Sequence, residues 1–387
     1  FHAYLDNIWF RGMGWPLTEE ALQAIAAHQY HGGEYTPFDN VMNKAWAWST
    51  EMLPLWLPPN VVTAAGGLCH LGAVALTVAY CPTFREVAPP WVLQLGAFLI
   101  YAGYWLDCMD GKQARRTGSS SPLGQLFDHS CDALSLMAHF CITAVLVAPL
   151  SEQRRLVLAN LVVLQLTFFL TQWLEFHLRQ LRHQVAGLGT TELITGSVAA
   201  VLILSVSDRT HTGMLGVRLP VPFTDGINAA EGYMIFYMGI NAVVMPLTVV
   251  ATLRRIPSAT QKVFAVLAVL PVVAVVLTTL FVWPEYIIQD HLRLVTFPAW
   301  LAIAQMTIQV IVYSMGQQRL VWFQWPAFVH CALAAVVRSY APEAAVPVLY
   351  GLGAFHLAFM LVWGVAAMKQ ISGKLGIRIF HLTKRVD

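Results

Sequence analysis

The chain is 387 residues long, 57% hydrophobic and only 11% charged, with a net charge of +2. Soluble domains average roughly 45–50% apolar and about 25% charged residues, so water is not the main solvent of this chain. Its basic residues are scattered between apolar runs and form no cationic patch, so no nucleic-acid partner is expected. Six cysteines, at 69, 81, 108, 131, 141 and 331, fall in or beside apolar runs. They include no C-x-x-C pair and no His/Cys spacing suited to zinc, and they read as packing residues.

A hydrocarbon core about 30 Å thick requires roughly 20 mostly apolar residues per spanning helix. Residues 1–57 contain neither such a run nor a signal-peptide pattern. Their mixture of Trp9, Phe10, Trp15, Trp46 and Trp48 with few charges predicts an amphipathic segment at the membrane interface, with a soluble turn packed on the bundle as the alternative. Ten candidate spans follow, near 60–81, 90–109, 124–149, 156–178, 190–206, 231–253, 262–283, 294–315, 320–338 and 346–368. The fold expected is therefore an all-α integral membrane protein of about ten transmembrane helices, ending in a tail over 371–387. An even count puts both termini on one side. The connections holding Lys112, Arg115, Arg116, Arg179, Arg182, Arg254 and Arg255, with the C-terminal tail, are the more basic set, which makes that side cytoplasmic.

Chemistry concentrates at the join of the second and third spans. There the sequence reads Asp107-Cys-Met-Asp110-Gly111-Lys-Gln-Ala114-Arg115, then eight residues, then Gly124-x-x-x-Asp128-His129-Ser-Cys-Asp132. An uncompensated Asp at the centre of a spanning helix costs roughly 2.5–3.5 kcal/mol, so four together call for neutralisation by cations. Asp107 and Asp110 are three apart and Asp128 and Asp132 four apart, intervals that place each pair on one helical face. This many hard oxygen ligands suits two Mg²⁺ or Mn²⁺ ions, which keep positions open for water and a substrate phosphate. Two ions bridging a diphosphate stabilise both attacking and leaving oxygens. Gly124, one turn before Asp128, leaves room for a backbone or a phosphate to approach. Arg115 offers a planar fork matched to phosphate oxygens, though alone it would only set topology.

The pattern D-x2-D-G-x2-A-R-x8-G-x3-D-x3-D, filled at every fixed position, is the signature of the CDP-alcohol phosphotransferase family, which this chain resembles. The stretch Leu57–Asp132, with Pro59-Asn60-Val-Val-Thr63, Ser119-Ser-Ser-Pro-Leu-Gly124 and Leu126-Phe-Asp-His129, looks like the eukaryotic choline/ethanolamine phosphotransferase branch, as does the length of ten spans. The resemblance implies transfer of a phospho-alcohol from CDP-choline or CDP-ethanolamine to diacylglycerol, releasing CMP. It implies two metal ions held by Asp107, Asp110, Asp128 and Asp132, and a nucleotide site lined by Asn60, Gly111, Ala114, Arg115 and Gly124. Relatives often carry Glu where this chain has Gln125, a departure at that nucleotide contact. It further implies a catalytic bundle over 58–254 (spans one to six), additional helices over 255–370, a homodimer, and residence among membrane lipids of the endoplasmic reticulum or Golgi with the site facing the cytoplasm.

A lipid hydroxyl attacking phosphorus needs a base within hydrogen-bond reach. His129 lies between Asp128 and Asp132, and a histidine of ordinary pKa, about 6.5, accepts a proton near neutrality. The eukaryotic branch carries this histidine, whereas the smaller relatives give the role to the residue matching Asp132, and both stand as candidates. The branch also places a Thr-Glu where Thr191-Glu192 stands, which makes Glu192 a candidate to orient His129; capping of the fifth span explains the same pair. Glu175, His177, Arg179, Arg182 and His183 crowd the same side. Tyr104 and Trp105, one turn before the first aspartates, offer an aromatic face to a quaternary ammonium. His70, His139, His330 and His356 are isolated polar residues in apolar spans and read as helix-contact residues. Spans seven to ten hold no acidic cluster and are expected to make dimer contacts or the walls of a lipid chamber. An ion-coupled transporter, or transfer to another acceptor such as inositol, is the competing reading; internal repeat symmetry, which a transporter usually shows, is missing.

Overall fold

Ridges of apolar side chains on nearly every helix leave only helix-on-helix packing as a way to bury them. The computed structural model describes residues 17–29, 35–151, 153–179, 184–185, 188–207, 216–221 and 226–382. Trp9, Phe10, Trp15, Arg182 and His183 lie outside these.

Before the first span come two helices, α1 (Glu19–Ala26) and α2 (Pro37–Glu51). Thr18 caps α1 and Thr36 caps α2, the latter in a reciprocal capping box with Asp39. The helix α2 exposes Val41 and Trp48, and Met52, Leu55 and Trp56 beyond it are exposed too, as an interfacial helix should. By contrast α1 buries Ala21 and Ile25 against the bundle.

The helices of the bundle are α3 (Pro59–Tyr80), α4 (Pro90–Arg116), α5 (Pro122–Val147), α6 (Arg154–Leu178), α7 (Thr190–Ser205), α8 (Ala229–Arg255), α9 (Ala259–Leu267), α10 (Leu270–Phe281), α12 (Leu292–Met315), α13 (Trp325–Tyr340) and α14 (Ala345–Leu375), with the short α11 (Glu285–Asp290) before α12. Eight stretches among the described residues are long and apolar enough to cross a membrane. The segments expected at 190–206 and 320–338 form the shorter α7 and α13. The span expected at 262–283 is found as the apolar stretch Ala259–Phe281, with a short turn between α9 and α10 where Pro271 cannot donate to the backbone one turn earlier. A two-stranded hairpin, Gln184–Val185 with Leu188–Gly189, precedes α7.

Helices α3, α4 and α5 each begin with proline at the first position, where a missing N–H costs nothing. The closest approach is α3 against α4. A Cβ added to Gly66 or to Gly103 would come within 2.9 Å of the other's carbonyl oxygen, so only glycine lets these backbones touch. Gly103→Ala is therefore expected to destabilise the bundle by about 1–3 kcal/mol, read as a lower thermal unfolding midpoint in detergent; an unchanged midpoint would show that the contact is not tight.

Helix α12 is the central post. Its best apolar window is 89% buried, and it packs on α5, α6, α10 and α14. The final span region thus supports the aspartate-bearing helix directly.

Candidate active site

The carboxylates are set by a helical hairpin. Asp107 and Asp110 stand near the end of α4, Asp128 and Asp132 in the first turns of α5, and only Thr117–Ser121 lies between the helices. Gly118 adopts a left-handed φ of +64°, which lets Ser119 N–H bond Ala114 O at 2.9 Å and closes α4. Ser121 then caps α5 by accepting from Gly124 N–H at 3.1 Å. Every fixed position of the motif therefore lies on one of the two helices, and the two aspartate pairs face each other across the hairpin.

Carboxylate oxygens of Asp107, Asp110 and Asp128 all lie within 4.8 Å of one another. Asp107 also faces Asp132. Asp128 Oδ1 is buried and has no hydrogen-bond partner. Among the described residues no Lys or Arg pairs with any of the four; the ion pairs formed are Arg85–Asp290, Arg155–Glu285, Arg218–Glu231 and Lys374–Glu19. Anionic oxygens converging with no protein cation suit one or more divalent ions.

One residue of the site was not foreseen. Thr63 on α3 donates its hydroxyl to Asp110 Oδ2, fixing which carboxylate oxygen faces inward. Its signal in the sequence was its place three residues after Asn60, on the same face of α3. Asn60 itself donates to Ile379 O at 2.5 Å, and its Oδ1 would lie 3.3 Å from a Cβ on Gly124. The space left by Gly124 thus admits Asn60.

The basic residues divide sharply. Arg116 donates to the carbonyls of Thr50, Glu51 and Leu53 at 3.2, 3.2 and 2.6 Å, gripping the end of α2. Lys112 bonds Asn43 Oδ1 at 2.7 Å and lies over the Trp46 ring at 5.6 Å. Arg115 is exposed and makes no hydrogen bond or ion pair among the described residues, leaving its guanidinium available to an anion. It lies back over Gly111, where a Cβ would sit 3.7 Å from its terminal nitrogen. Half-buried Ala114 begins the same turn, and Gln125 Oε1 lies 3.0 Å from His28 Nε2 at the end of α1.

His129 is buried on α5 between the two aspartates of that helix. Glu192 accepts from Gly189 N–H at 3.0 Å, a helix-capping bond. Thr191 donates to Asp39 and meets Tyr104 OH at 2.7 Å, joining α7 to α2 and α4. Trp105 donates to Ser49 Oγ at 3.2 Å, so both aromatics before Asp107 hold neighbouring helices together. Arg179 donates to Ser314 O at 2.6 Å and His177 packs edge-on to Trp173, fastening α6 to α12 and within itself. His330 and His356 bond each other at 3.2 Å between α13 and α14.

Residues 56–224 match the family model described as CDP-alcohol phosphatidyltransferase. The chain is 41% identical over 163 residues to an "Uncharacterized CDP-alcohol phosphatidyltransferase class-I family protein 2" of Dictyostelium discoideum, covering 42% of this chain and 39% of that one. It is 40% identical over 127 residues to "Cholinephosphotransferase 1" of Rattus norvegicus, covering 33% and 32%, and 39% identical over 127 residues to the Homo sapiens protein of that name, covering 33% and 31%. The similarity spans about a third of the length of these relatives.

Proposed function

We propose that the chain transfers phosphocholine or phosphoethanolamine from the CDP-alcohol to diacylglycerol, releasing CMP, a reading supported by the match of residues 56–224 to the CDP-alcohol phosphatidyltransferase family model. The observation that carries this reading is the knot of carboxylates on the α4–α5 hairpin within a bundle of membrane-spanning helices. Such a place lets a water-soluble diphosphate meet a lipid hydroxyl. The likeness to cholinephosphotransferases supports the choice of head group and acceptor. The more basic loops lie on the hairpin's side, which supports a site facing the cytoplasm.

The donor set fits a divalent cation: hard oxygens, converging, one of them buried without a partner. Asp107, Asp110, Asp128 and Asp132 would hold Mg²⁺ or Mn²⁺, which when bound draws charge from the diphosphate. The chain's own residues do the rest. Thr63 orients Asp110. Arg115 reaches from the cytoplasmic end of α4 to pair with a donor phosphate, its fork matching two oxygens. Asn60, Gly111, Ala114, Gly124 and Gln125 form the surrounding end of α3, α4 and α5 and line the nucleotide. His129 takes the proton of the acceptor hydroxyl as it attacks the β-phosphorus and CMP departs; Glu192, in the first turn of α7, is the candidate to steady the histidine.

Purified protein offered radiolabelled CDP-choline or CDP-ethanolamine with diacylglycerol and Mg²⁺ is expected to form labelled phospholipid from at least one donor. Label that enters lipid only with inositol as acceptor would assign a different reaction.

A further inference from the structure

The face of α5 that carries the catalytic aspartates does not end with them. Asp128, Asp132, Ser135, His139 and Thr143 follow at intervals of four, three, four and four, all within one side of the helix. Each is half-buried, whereas Ala133, Met137, Cys141 and Ala144 on the opposite side are fully buried in the core. A polar, partly open stripe thus runs down a membrane helix, about 10 Å from Asp132 to His139 and a further turn to Thr143. On the facing helix α3, His70 comes within 5.7 Å of His139 between ring centres. The His70 ring lies across Gly103, one turn below Asp107, beside the backbone of Ile100.

Neutral polar side chains at this depth are costly unless something bonds them. Below the aspartates this face carries no charged side chain, so a phosphate would find no counter-charge there. What fits is an uncharged group rich in oxygen acceptors that arrives from the bilayer. Resting on the transfer reading above, we infer that His139 and His70 form the subsite for the glycerol ester carbonyls of the acceptor lipid. A lipid whose free hydroxyl sits between the aspartates holds its ester carbonyl oxygens within roughly 7 Å of that hydroxyl, which brings them within a hydrogen bond of the level of the two histidines but not of Thr143 a turn below. The ring N–H of a histidine donates to those carbonyls. Ser135, whose hydroxyl donates to Asp132 O at 2.8 Å, fills the step between. These residues position the acceptor and take no part in bond making.

The test is a split of kinetic constants in mixed micelles. His139→Leu is expected to raise the KM for diacylglycerol about tenfold, as loss of one buried hydrogen bond does, with the KM for the CDP-alcohol unchanged. His139→Gln, which keeps a donor, is expected to recover most of that loss. An unchanged KM for diacylglycerol in folded His139→Leu, or an equal rise for both substrates, overturns the subsite. A diacylglycerol bearing a diazirine near its ester is a second arm, needing neither turnover nor a variant. Adducts on the 135–143 peptide of the wild-type protein, competed by unlabelled diacylglycerol, support the subsite, and their absence overturns it. Failure of the transfer reading shows separately, as no labelled product from any donor.

Discussion

Asp128→Asn is expected to lower kcat about a thousandfold or more while leaving the fold in place. The substitution keeps the shape of the side chain and removes the charge that, with Asp107 and Asp110, concentrates anionic oxygens within 4.8 Å. Loss of a group that stabilises charge in the transition state costs about 10²–10³ in rate; here the lost ligand also weakens retention of the cation, which adds to that. The physical argument also fixes what should not happen. Three remaining carboxylates repel one another less than four, so the metal-free protein is expected to unfold at the same temperature or slightly higher. Turnover above a tenth of wild type, or a sharply lowered unfolding midpoint, would show that Asp128 serves the fold and not the reaction.

His129→Ala is expected to lower kcat by about 10²–10⁴, the range of general-base catalysis, with the KM for the CDP-alcohol within twofold. His129 is buried on α5 and directly follows Asp128 in the chain. Removing its ring leaves the nucleotide contacts proposed for Asn60 and Arg115 intact. Retained turnover with normal donor and metal binding would pass the proton to Asp132, which faces Asp107 from the next turn. Comparing His129→Ala with Asp132→Asn separates the two, because loss of a ligand also shifts the metal concentration needed for half activity.

Most of the bundle was legible in the sequence because apolar length and helical period are local properties. Spacing alone placed each aspartate pair on one face of its helix, and the structure brings three of the four carboxylates together as a cluster. Less legible was what depends on contact between distant segments. The Thr63–Asp110 bond joins residues 47 apart, and Arg116 grips carbonyls more than sixty residues away. Nothing periodic announces either. The sequence also could not show that Tyr104 and Trp105 tie helices together, since an aromatic pair at a helix end reads equally as a cation site. The turn within the seventh span was readable from Pro271, but hydropathy averages across it.

The most direct measurement follows label and CMP together in the same reaction, before and after chelation. Purified protein with CDP-[¹⁴C]choline or CDP-[¹⁴C]ethanolamine and diacylglycerol should place label in phospholipid in equal amount to the CMP released. That activity should fall to background with EDTA and return on adding Mg²⁺ or Mn²⁺. CMP released without labelled lipid, or labelled lipid formed equally well in excess EDTA, would contradict a cation-dependent transfer to diacylglycerol at the α4–α5 carboxylates.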